Sequence, residues 1–419
     1  MSSVLNVTIP DSWSSAPLKR VTSALNRGSA PDYVDAGPVR VISQASNQAS
    51  GLDWWRTRFH DFNGNPKSLK GYLYPSDVLI NSTGTGTLGR VGYFTGSPDG
   101  LPCMADSHVT IARAKRDELD ARFSYYWLGS KPFQEYIYAA LVVGATNQIE
   151  LNRDRLGDAP VPLPPLDEQR SIADFLDAET ARIDHLISKF DKQRTLVSER
   201  ERAALPLSVG GALLGDGHIE TGLPWFAMAH PESRLVPLIR VLHLQRGVDL
   251  SDKQRRPGSV PVFTTAGPSG SHDTAIAGAP GVVIGRYGSV GNVHWAETPY
   301  WPHNTTLYVK NFGGNDERYC YHLLRALPYD MEQARAAVPG VNRNDLHKQL
   351  VPLVPRNLQK RTSQQADELA SWRHATNSRI ERAQILLKER RKALITAAVT
   401  GQFDVSTASG RNVTEGVTV

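Results

Sequence analysis

The chain has 419 residues, of which 47 are basic and 42 acidic, giving a formal net charge of +5 and a pI near 9.1. This length is too great for one hydrophobic core and predicts at least two domains. With 40% hydrophobic and 21% charged residues, the composition excludes a largely disordered or collagen-like chain. The positive charge fits an anionic partner, but many basic proteins have none.

No run approaches the roughly eighteen apolar residues of a membrane-spanning helix, and residues 1–11 lack the features of a signal peptide. We therefore predict a cytoplasmic protein with no membrane partner. The two cysteines, Cys103 and Cys320, have no His or Cys at metal-ligand spacing nearby. This pattern predicts neither a disulfide framework nor a metal site.

The first globular segment is predicted to span residues 1–157, with short alternating strands such as Gly37–Ile42 and Asp77–Ile80. The latter leads into Gly84-Thr85-Gly86-Thr87-Leu88-Gly89, which has the spacing of a dinucleotide-binding loop. Such a loop must be followed by a helix, whereas Arg90–Phe94 has the pattern of a strand. We therefore predict a glycine-rich hairpin. It is suited to phosphate and base-edge contacts on DNA, and a purely structural turn remains the alternative.

A long central helix is predicted over residues 158–207, followed by a glycine-rich linker over 208–225. Its apolar residues recur at heptad spacing, at Leu176, Ile183, Phe190 and Val197.

The second half of the chain repeats the first in the same order. In the second globular segment, 226–349, Arg27-Gly28 returns as Arg246-Gly247 and Gly37–Ile42 as Gly258–Phe263. Asn147–Leu151 is matched with Asn342–Leu346. Gly285–Gly291 occupies the place of the glycine-rich hairpin.

A C-terminal helix is predicted over 350–402, with a tail over 403–419. It repeats the central helix at an offset of 190 residues, as between Gln169 and Gln359, and places Ile380, Leu387 and Leu394 on its seam. Residues 356–392 contain 10 basic and 4 acidic side chains, against 7 and 9 in residues 167–204. The predicted fold class is thus α/β (α+β), with a pseudo-twofold internal repeat. Two globular domains are separated by two long antiparallel helices that form a coiled coil.

The candidate DNA-binding residues surround the two glycine loops. Arginine suits guanine, and asparagine suits adenine, in the major groove. For each residue a structural role remains open, since aromatic side chains usually pack in a core and a single arginine usually contacts water. Trp54–Arg58 lies among the same polar and aromatic residues. The candidates are Ser82, Thr83, Thr85, Thr87, Arg90, Arg286, Tyr287, Ser289, Asn292, His303 and Asn304.

Catalytic motifs are not apparent. The chain has no Asn-Pro-Pro-aromatic tetrad of amino methyltransferases, no phosphate-binding Walker loop and no His-Glu-x-x-His. The sequence therefore predicts binding rather than catalysis, with no catalytic residue and no cofactor bound by this chain.

Residues 162–187, PLPPLDEQRSIADFLDAETARIDHLI, closely resemble the central signature of the specificity subunits of type I restriction–modification systems. Residues 386–405, LLKERRKALITAAVTGQFDV, resemble the C-terminal signature of that family. Pro10–Trp13, Asp77–Ile80 and Trp301–Thr306 also resemble family segments. Two positions depart from the repeat, because Trp13 becomes Arg234 and the acidic Glu168 becomes Leu358.

The resemblance implies two target recognition domains that each bind one half of a bipartite site in double-stranded DNA. It also implies that catalysis belongs to partners. These are DNA methyltransferase subunits, two by analogy, and restriction and translocase subunits. S-adenosylmethionine, ATP and Mg would bind those partners. The spacer helices, through seam residues such as Leu176 and Ile380, would dock them.

The sequence leaves three other interpretations to consider. An enzyme with its own nuclease or methyltransferase activity is disfavoured because the motifs are missing. A coiled-coil adaptor that binds proteins is opposed only by the basic charge and the glycine loops. A specificity subunit of a methylation-only system remains open. The recognised bases and their spacing do not follow from the sequence.

Overall fold

The computed structural model of the chain describes residues 2–84, 86–143, 149–215, 217–287, 291–329 and 340–405. The chain forms two compact units. The first comprises Met1–Lys189 and Ala383–Val419, and the second comprises Phe190–Arg382. Each unit therefore combines one globular part with one half of each long helix, whereas the predicted boundaries kept the helices as separate segments.

The described residues of the first globular part form short strands and four short α-helices, and they lead into the first long helix. The helices are α1 (Leu18–Val21), α2 (Ala121–Gly129), α3 (Lys131–Tyr136), α4 (Arg153–Asp158) and the long α5 (Leu166–Val209). The strands are β1 (Ser2–Val4), β2 (Val7–Ile9), β3 (Ser14–Pro17), β4 (Thr22–Arg27), β5 (Tyr33–Val34), β6 (Val39–Ile42), β7 (Asn47–Gln48), β8 (Gly51–Leu52), β9 (Arg58–His60), β10 (Val78–Asn81), β11 (Val91–Tyr93), β12 (Cys103–Ala105), β13 (Val109–Ala114), β14 (Val142–Val143), β15 (Glu150–Leu151) and β16 (Pro160–Leu163).

The second globular part has the same kinds of element. Its helices are α6 (Glu317–Arg325) and α7 (Arg343–Lys348), followed by the long α8 (Arg356–Val399). Its strands are β17 (Ile219–Leu223), β18 (Phe226–Ala229), β19 (Arg234–Pro237), β20 (His243–Arg246), β21 (Val260–Thr264), β22 (Gly267–His272), β23 (Gly281–Gly285), β24 (Val293–Ala296), β25 (Trp301–Pro302), β26 (Thr306–Asn311) and β27 (Leu350–Leu353).

The main sheet has the same order in both units. The order is β11-β10-β13-β4 in the first unit and β24-β23-β26-β20 in the second, and all neighbours are antiparallel. A second sheet in each unit contains one parallel pair, β6 with β12 and β21 with β25. The predicted internal repeat and the mixed fold class are thus confirmed.

Alternation along the central strands builds two core layers. In β10, Val78 and Ile80 pack in one cluster with α2 and the long helices, whereas Leu79 packs in another with Ile42 of the second sheet. Successive side chains of a strand point to opposite faces, so an unbroken apolar run fits a strand covered on both sides. In the second unit β23 divides its apolar residues between two clusters in the same way.

A repeated glycine has a steric cause. A Cβ atom on Gly28 would lie 1.9 Å from the carbonyl oxygen of Ala105, and one on Gly247 would lie 2.1 Å from that of His303. Backbone passes too close at both positions for any side chain. The Arg-Gly pair therefore marks the same close approach of two backbone segments in each unit.

The repeat register between the sheets and the long helices needs one correction. Asn152 and Asn342 both cap short helices, and their side-chain oxygens accept hydrogen bonds from the amides of Asp154 and Asn344. The match of Asn147–Leu151 with Asn342–Leu346 is therefore wrong, and the 190-residue offset already holds at Asn152. Residues 144–148 lie outside the described part of the chain.

The long helices have 44 residues each. The first begins at Leu166 rather than 158, because Pro160–Leu163 pairs with Ser14–Pro17 as a strand. Gly211 and Gly401, with φ of +78° and +69°, follow the two helix ends, as left-handed glycines commonly do. The predicted linker, 208–225, contributes the end of α5 and the strand Ile219–Leu223.

Within each unit the halves of the long helices pack antiparallel. In the first unit, Gln384 Nε2 donates to the carbonyl of Ile187 at 3.4 Å, and Arg391 Nε lies 3.5 Å from Asp184. In the second unit, Ser208 Oγ donates to the carbonyl of Thr362 at 3.4 Å. Among the predicted seam residues, Phe190 and Leu387 are half-buried, and the others are buried, namely Leu176, Ile183, Val197, Ile380 and Leu394. In the described part of the chain, no helix has both the length and the apolarity needed to cross a membrane.

Candidate nucleic-acid interface

The glycine-rich segment of the first unit is a hairpin loop between β10 and β11. Gly84, Gly86 and Gly89 have φ of +97°, +80° and +77°, and the strand Val91–Tyr93 follows directly. Since no helix begins after these glycines, the loop cannot present a helix N-terminus to a pyrophosphate. The prediction of a hairpin, in place of a dinucleotide site, is confirmed.

Ser82 is one prediction that the structure overturns. Its side chain is fully buried, and its hydroxyl forms a short hydrogen bond with that of Thr110. A hydroxyl enclosed between two strands is not accessible to DNA. Ser82 therefore stabilises the sheet.

The two threonines hold the loop in shape. Thr83 Oγ1 lies 3.1 Å from Gln44 Oε1 and 2.9 Å from His108 Nδ1. Thr87 Oγ1 donates to the carbonyl of Thr83 at 3.2 Å. His108 is exposed and Gln44 half-buried. These two side chains form a polar surface beside Thr83 that the sequence did not indicate, because neither belongs to a glycine motif.

Arg90 is anchored by neutral groups. Its Nη1 donates to Gln48 Oε1 at 2.9 Å and to the carbonyl of Asn47 at 3.2 Å. Below it, the buried Asn47 Nδ2 donates to Asn81 Oδ1 at 2.9 Å. The positive charge of Arg90 is thus oriented by neutral oxygens. Gln48 is a further contributor that the sequence did not single out.

The Trp54–Arg58 segment presents one aromatic ring to solvent. Trp54 packs 6.4 Å from Phe94, whereas Trp55 is 99% exposed. Asp53 caps this turn by accepting a hydrogen bond from the Trp55 amide at 3.1 Å. A rigid turn therefore displays a tryptophan in the segment that follows Gln44 and Gln48.

The loop of the second unit presents different chemistry. Arg286 Nε donates to the carbonyl of Val341 at 3.3 Å, and its guanidinium lies 4.6 Å from the centroid of the Tyr287 ring. Its Nη1 has no hydrogen-bond partner in the described ranges. Tyr287 is 39% exposed, and Asn292 is exposed. Thr85 and Ser289, also predicted to contact DNA, lie outside the described residues.

His303 and Asn304 form a turn rather than an open reading surface. Asn304 Nδ2 donates to Asp249 Oδ1 at 2.6 Å, and His303 Nε2 lies 3.7 Å from the same carboxylate. Thr306 Oγ1 donates to the carbonyl of His303 at 2.7 Å. These contacts agree with the structural role that the sequence left open for both residues. A carboxylate at this position also opposes a phosphate.

Comparisons with known proteins agree with this architecture. Residues 40–189 match the family model described as the type I restriction modification DNA specificity domain. The putative type I restriction enzyme MjaX specificity subunit of Methanocaldococcus jannaschii is 23% identical over 201 residues, which are 47% of this chain and 45% of that protein. The match thus spans under half of that relative.

Solved structures show the same fold over nearly the whole chain. A chain described under complex assembly and conformational transition of the type I R-M system is 16% identical, with a TM-score of 0.68 over 94% of this chain and 100% of that chain. The HsdS subunit from Thermoanaerobacter tengcongensis is 16% identical, with a TM-score of 0.56 over 94% of this chain and 98% of that chain.

Residues 40–189 of this chain are thus similar to a type I restriction modification DNA specificity domain.

A charged clamp fixes each globular part to its long helices. In the first unit, Arg122 Nη1 donates to Asp174 at 2.7 Å and to Asp177 at 2.9 Å. Tyr126 donates its hydroxyl to Asp177 at 2.6 Å, and burial together with this hydrogen bond raises the pKa of Tyr126 above its usual value.

The clamp of the second unit uses a histidine. Arg318 Nε donates to Asp367 at 2.9 Å, and His322 Nε2 lies 2.9 Å from the same carboxylate. Burial lowers the pKa of His322 to about 4, although Asp367 acts in the opposite direction. His322 is therefore neutral at physiological pH and donates one hydrogen bond.

The described residues contain no group of three metal-ligating side chains, and Cys103 and Cys320 are free and buried. Burial raises the pKa of the Cys103 thiol to about 11. A buried thiol with a raised pKa is a poor nucleophile and behaves as a core side chain.

Proposed function

We propose that this chain is the noncatalytic subunit that reads the DNA sequence for a type I restriction–modification complex. Each globular part contacts one half of a bipartite, asymmetric site in double-stranded DNA. The observation that carries this proposal is the pair of glycine loops, which occupy the same place in the corresponding sheets of the two units but hold different side chains.

The candidate reading residues differ between the units. In the first unit, Thr83, Gln44 and the exposed His108 form one polar surface beside Arg90. In the second unit, Arg286 and Tyr287 form another, with the guanidinium 4.6 Å from the centroid of the Tyr287 ring. Glutamine favours adenine and arginine favours guanine in the major groove. The two half-sites should therefore differ in sequence.

The chemistry is assigned to partner subunits in the cytoplasm. Two methyltransferase subunits would modify adenine with S-adenosylmethionine, and restriction subunits would use ATP and Mg. The long helices are the proposed docking elements, because the helix faces opposite their buried seams are exposed. A complex without a restriction subunit would carry out methylation alone.

The decisive experiment is a genome-wide map of methylated adenine in cells that express this chain with its neighbouring methyltransferase subunit. Cells without this chain are the control. We expect a split motif of two short, different half-sites that disappears in the control. Unchanged methylation with a correctly assembled complex would instead favour an adaptor that binds protein.

A further inference from the structure

A groove in the first unit lies directly beside the candidate DNA loop. The side chain of Gln134 donates a hydrogen bond to the carbonyl of Gly89 at 2.9 Å. The hydroxyl of Tyr138 donates one to the carbonyl of Leu88 at 3.1 Å. The loop and the groove therefore share a wall. The groove is lined by the end of α2, by α3 and the turn after it, and by α8, chiefly through Gly129, Lys131, Gln134, Tyr138, Arg391 and Lys392.

The charged side chains that line this groove are mostly cations. The Lys131 side chain is 72% exposed and Lys392 is exposed, and Arg391 also lines an adjoining pocket with Arg90. The acidic lining residue, Glu135, is 3.8 Å from Lys131. Arg391 lies 3.5 Å from the exposed Asp184. A positive surface thus runs from Arg90 onto α8.

The second unit has an ion pair at the equivalent place. Arg325 Nη2 donates to Glu201 Oε1 at 2.7 Å, and Arg373 Nε lies 2.9 Å from Glu201 Oε2. Both α2 and α6 have nine residues and an aspartate N-cap, so Gly129 corresponds to Arg325. The helix offset of 190 pairs Arg391 with Glu201. In the second unit Glu201 therefore neutralises Arg325 and Arg373. In the first unit Gly129 has no side chain at the position of Arg325.

Close packing does not require the glycine in the first unit. A Cβ atom on Gly129 would meet nothing within 4 Å, and its φ lies outside the left-handed region. The groove is thus an open surface.

We propose that this groove binds the phosphate backbone of DNA, next to the half-site that the first unit reads. The inference rests on the proposed function and adds a contact surface on the C-terminal helix to it. Charge complementarity and the wall shared with the loop favour DNA over an acidic protein segment. Lysine and arginine contacts to phosphates position a protein on the duplex without reading sequence.

The salt dependence of binding tests this surface. The full chain, in the complex in which it purifies, is titrated with a random-sequence duplex over a range of salt concentrations. Each phosphate contact contributes about 0.9 to the slope of log K against log salt. We expect Lys392→Ala to lower the slope by about 1 and the affinity several-fold on every sequence. The matched control is Arg202→Ala, at the equivalent exposed position of α5 beside the paired Glu201, which should leave both unchanged.

A second variant tests the same surface without removing a cation. Gly129→Glu places a carboxylate opposite Arg391, in imitation of the second unit, and should lower the slope as Lys392→Ala does. Gly129→Gln fills the same space without charge and should retain most of the slope.

Three results would overturn the proposal. The first is an unchanged slope in both Lys392→Ala and Gly129→Glu. The second is an equal decrease of the slope in Arg202→Ala. The third is that Lys392→Ala impairs assembly with the methyltransferase subunit but not DNA binding. Each of these leaves the proposed function intact if the split methylation motif is present. Loss of that motif in cells expressing the wild-type chain would instead contradict the proposed function.

Discussion

The two units keep the same carboxylate on the long helices but pair it with different residues. Asp177 of the first unit binds Arg122 and Tyr126, and Asp367 of the second binds Arg318 and a histidine. The arginine and the carboxylate are common to both clamps, and only the third partner differs. The orientation of each globular part on its helices is thus retained, while the chemistry of the contact has diverged.

A second comparison separates scaffold from variable contacts. Gln169 accepts a hydrogen bond at 2.8 Å from the backbone amide of Asp120, the N-cap of α2. Gln359 accepts the equivalent bond at 2.8 Å from Asp316, the N-cap of α6. By contrast, Trp13 donates to Glu168 at 3.2 Å only in the first unit. In the second unit, Arg234 stands in place of Trp13 and Leu358 in place of Glu168, so both partners of this contact have changed. The paired loss explains both departures from the repeat as one lost contact.

The largest effect on stability is expected at the two glycines where another backbone segment approaches closely. Gly28→Ala and Gly247→Ala should each lower the free energy of unfolding by about 3 kcal/mol, because the added methyl group meets a carbonyl oxygen. Chemical denaturation measures this loss. Gly278→Ala, which meets nothing within 4 Å, is the control. A small loss in only one unit would show that the two close approaches are not equivalent.

The clamps should differ in strength. Asp367→Asn should cost about 2 kcal/mol, because Arg318 and His322 both lose a charged acceptor. Asp177→Asn should cost about 1 kcal/mol, since Arg122 keeps its contact with Asp174. Asp252→Asn, at a side chain 98% exposed, should have no effect. Equal losses for the two clamp variants in denaturant titrations would refute this ranking.

The two loop arginines should act on different half-sites. Arg286→Ala is expected to weaken binding about tenfold at the half-site of the second unit, because it removes the cation that lies beside the exposed Tyr287 ring. Arg90→Ala should act at the other half-site and less strongly, since its Nη1 is already bound to Gln48. Binding to duplexes with one half-site altered separates the two. Equal loss on all sequences would make both residues phosphate contacts, and no loss would contradict their assignment.

The smallest effect concerns pH. The folded-state pKa of His322 is lowered to about 4, so between about pH 6.5 and 4 the unfolded chain binds the proton more readily. Stability in the second unit should therefore fall as pH decreases, by about 1 kcal/mol between pH 7 and 5.5. His322→Tyr, which copies the first unit, should remove this contribution. An unchanged pH profile of unfolding in that variant would show that His322 is not its source.

The sequence was sufficient for features set by local patterns. Heptad spacing predicted both long helices, and the strand after Gly89 excluded a nucleotide site. It failed where strand pairing decided the boundary, since Pro160–Leu163 becomes a strand only by pairing with Ser14–Pro17. It also failed at Ser82, because a polar residue at a strand end gives no sign of whether another strand covers it.

The sequence by itself determined the duplication and the helices, because both rest on residue order and spacing along the chain. Only the tertiary structure decided which polar residues are available to a partner. Gln44 and His108 meet Thr83 from distant segments, and Arg325 closes in the second unit a groove that Gly129 leaves open in the first. These contacts depend on strand pairing and helix packing between remote positions, which one sequence without structure does not specify.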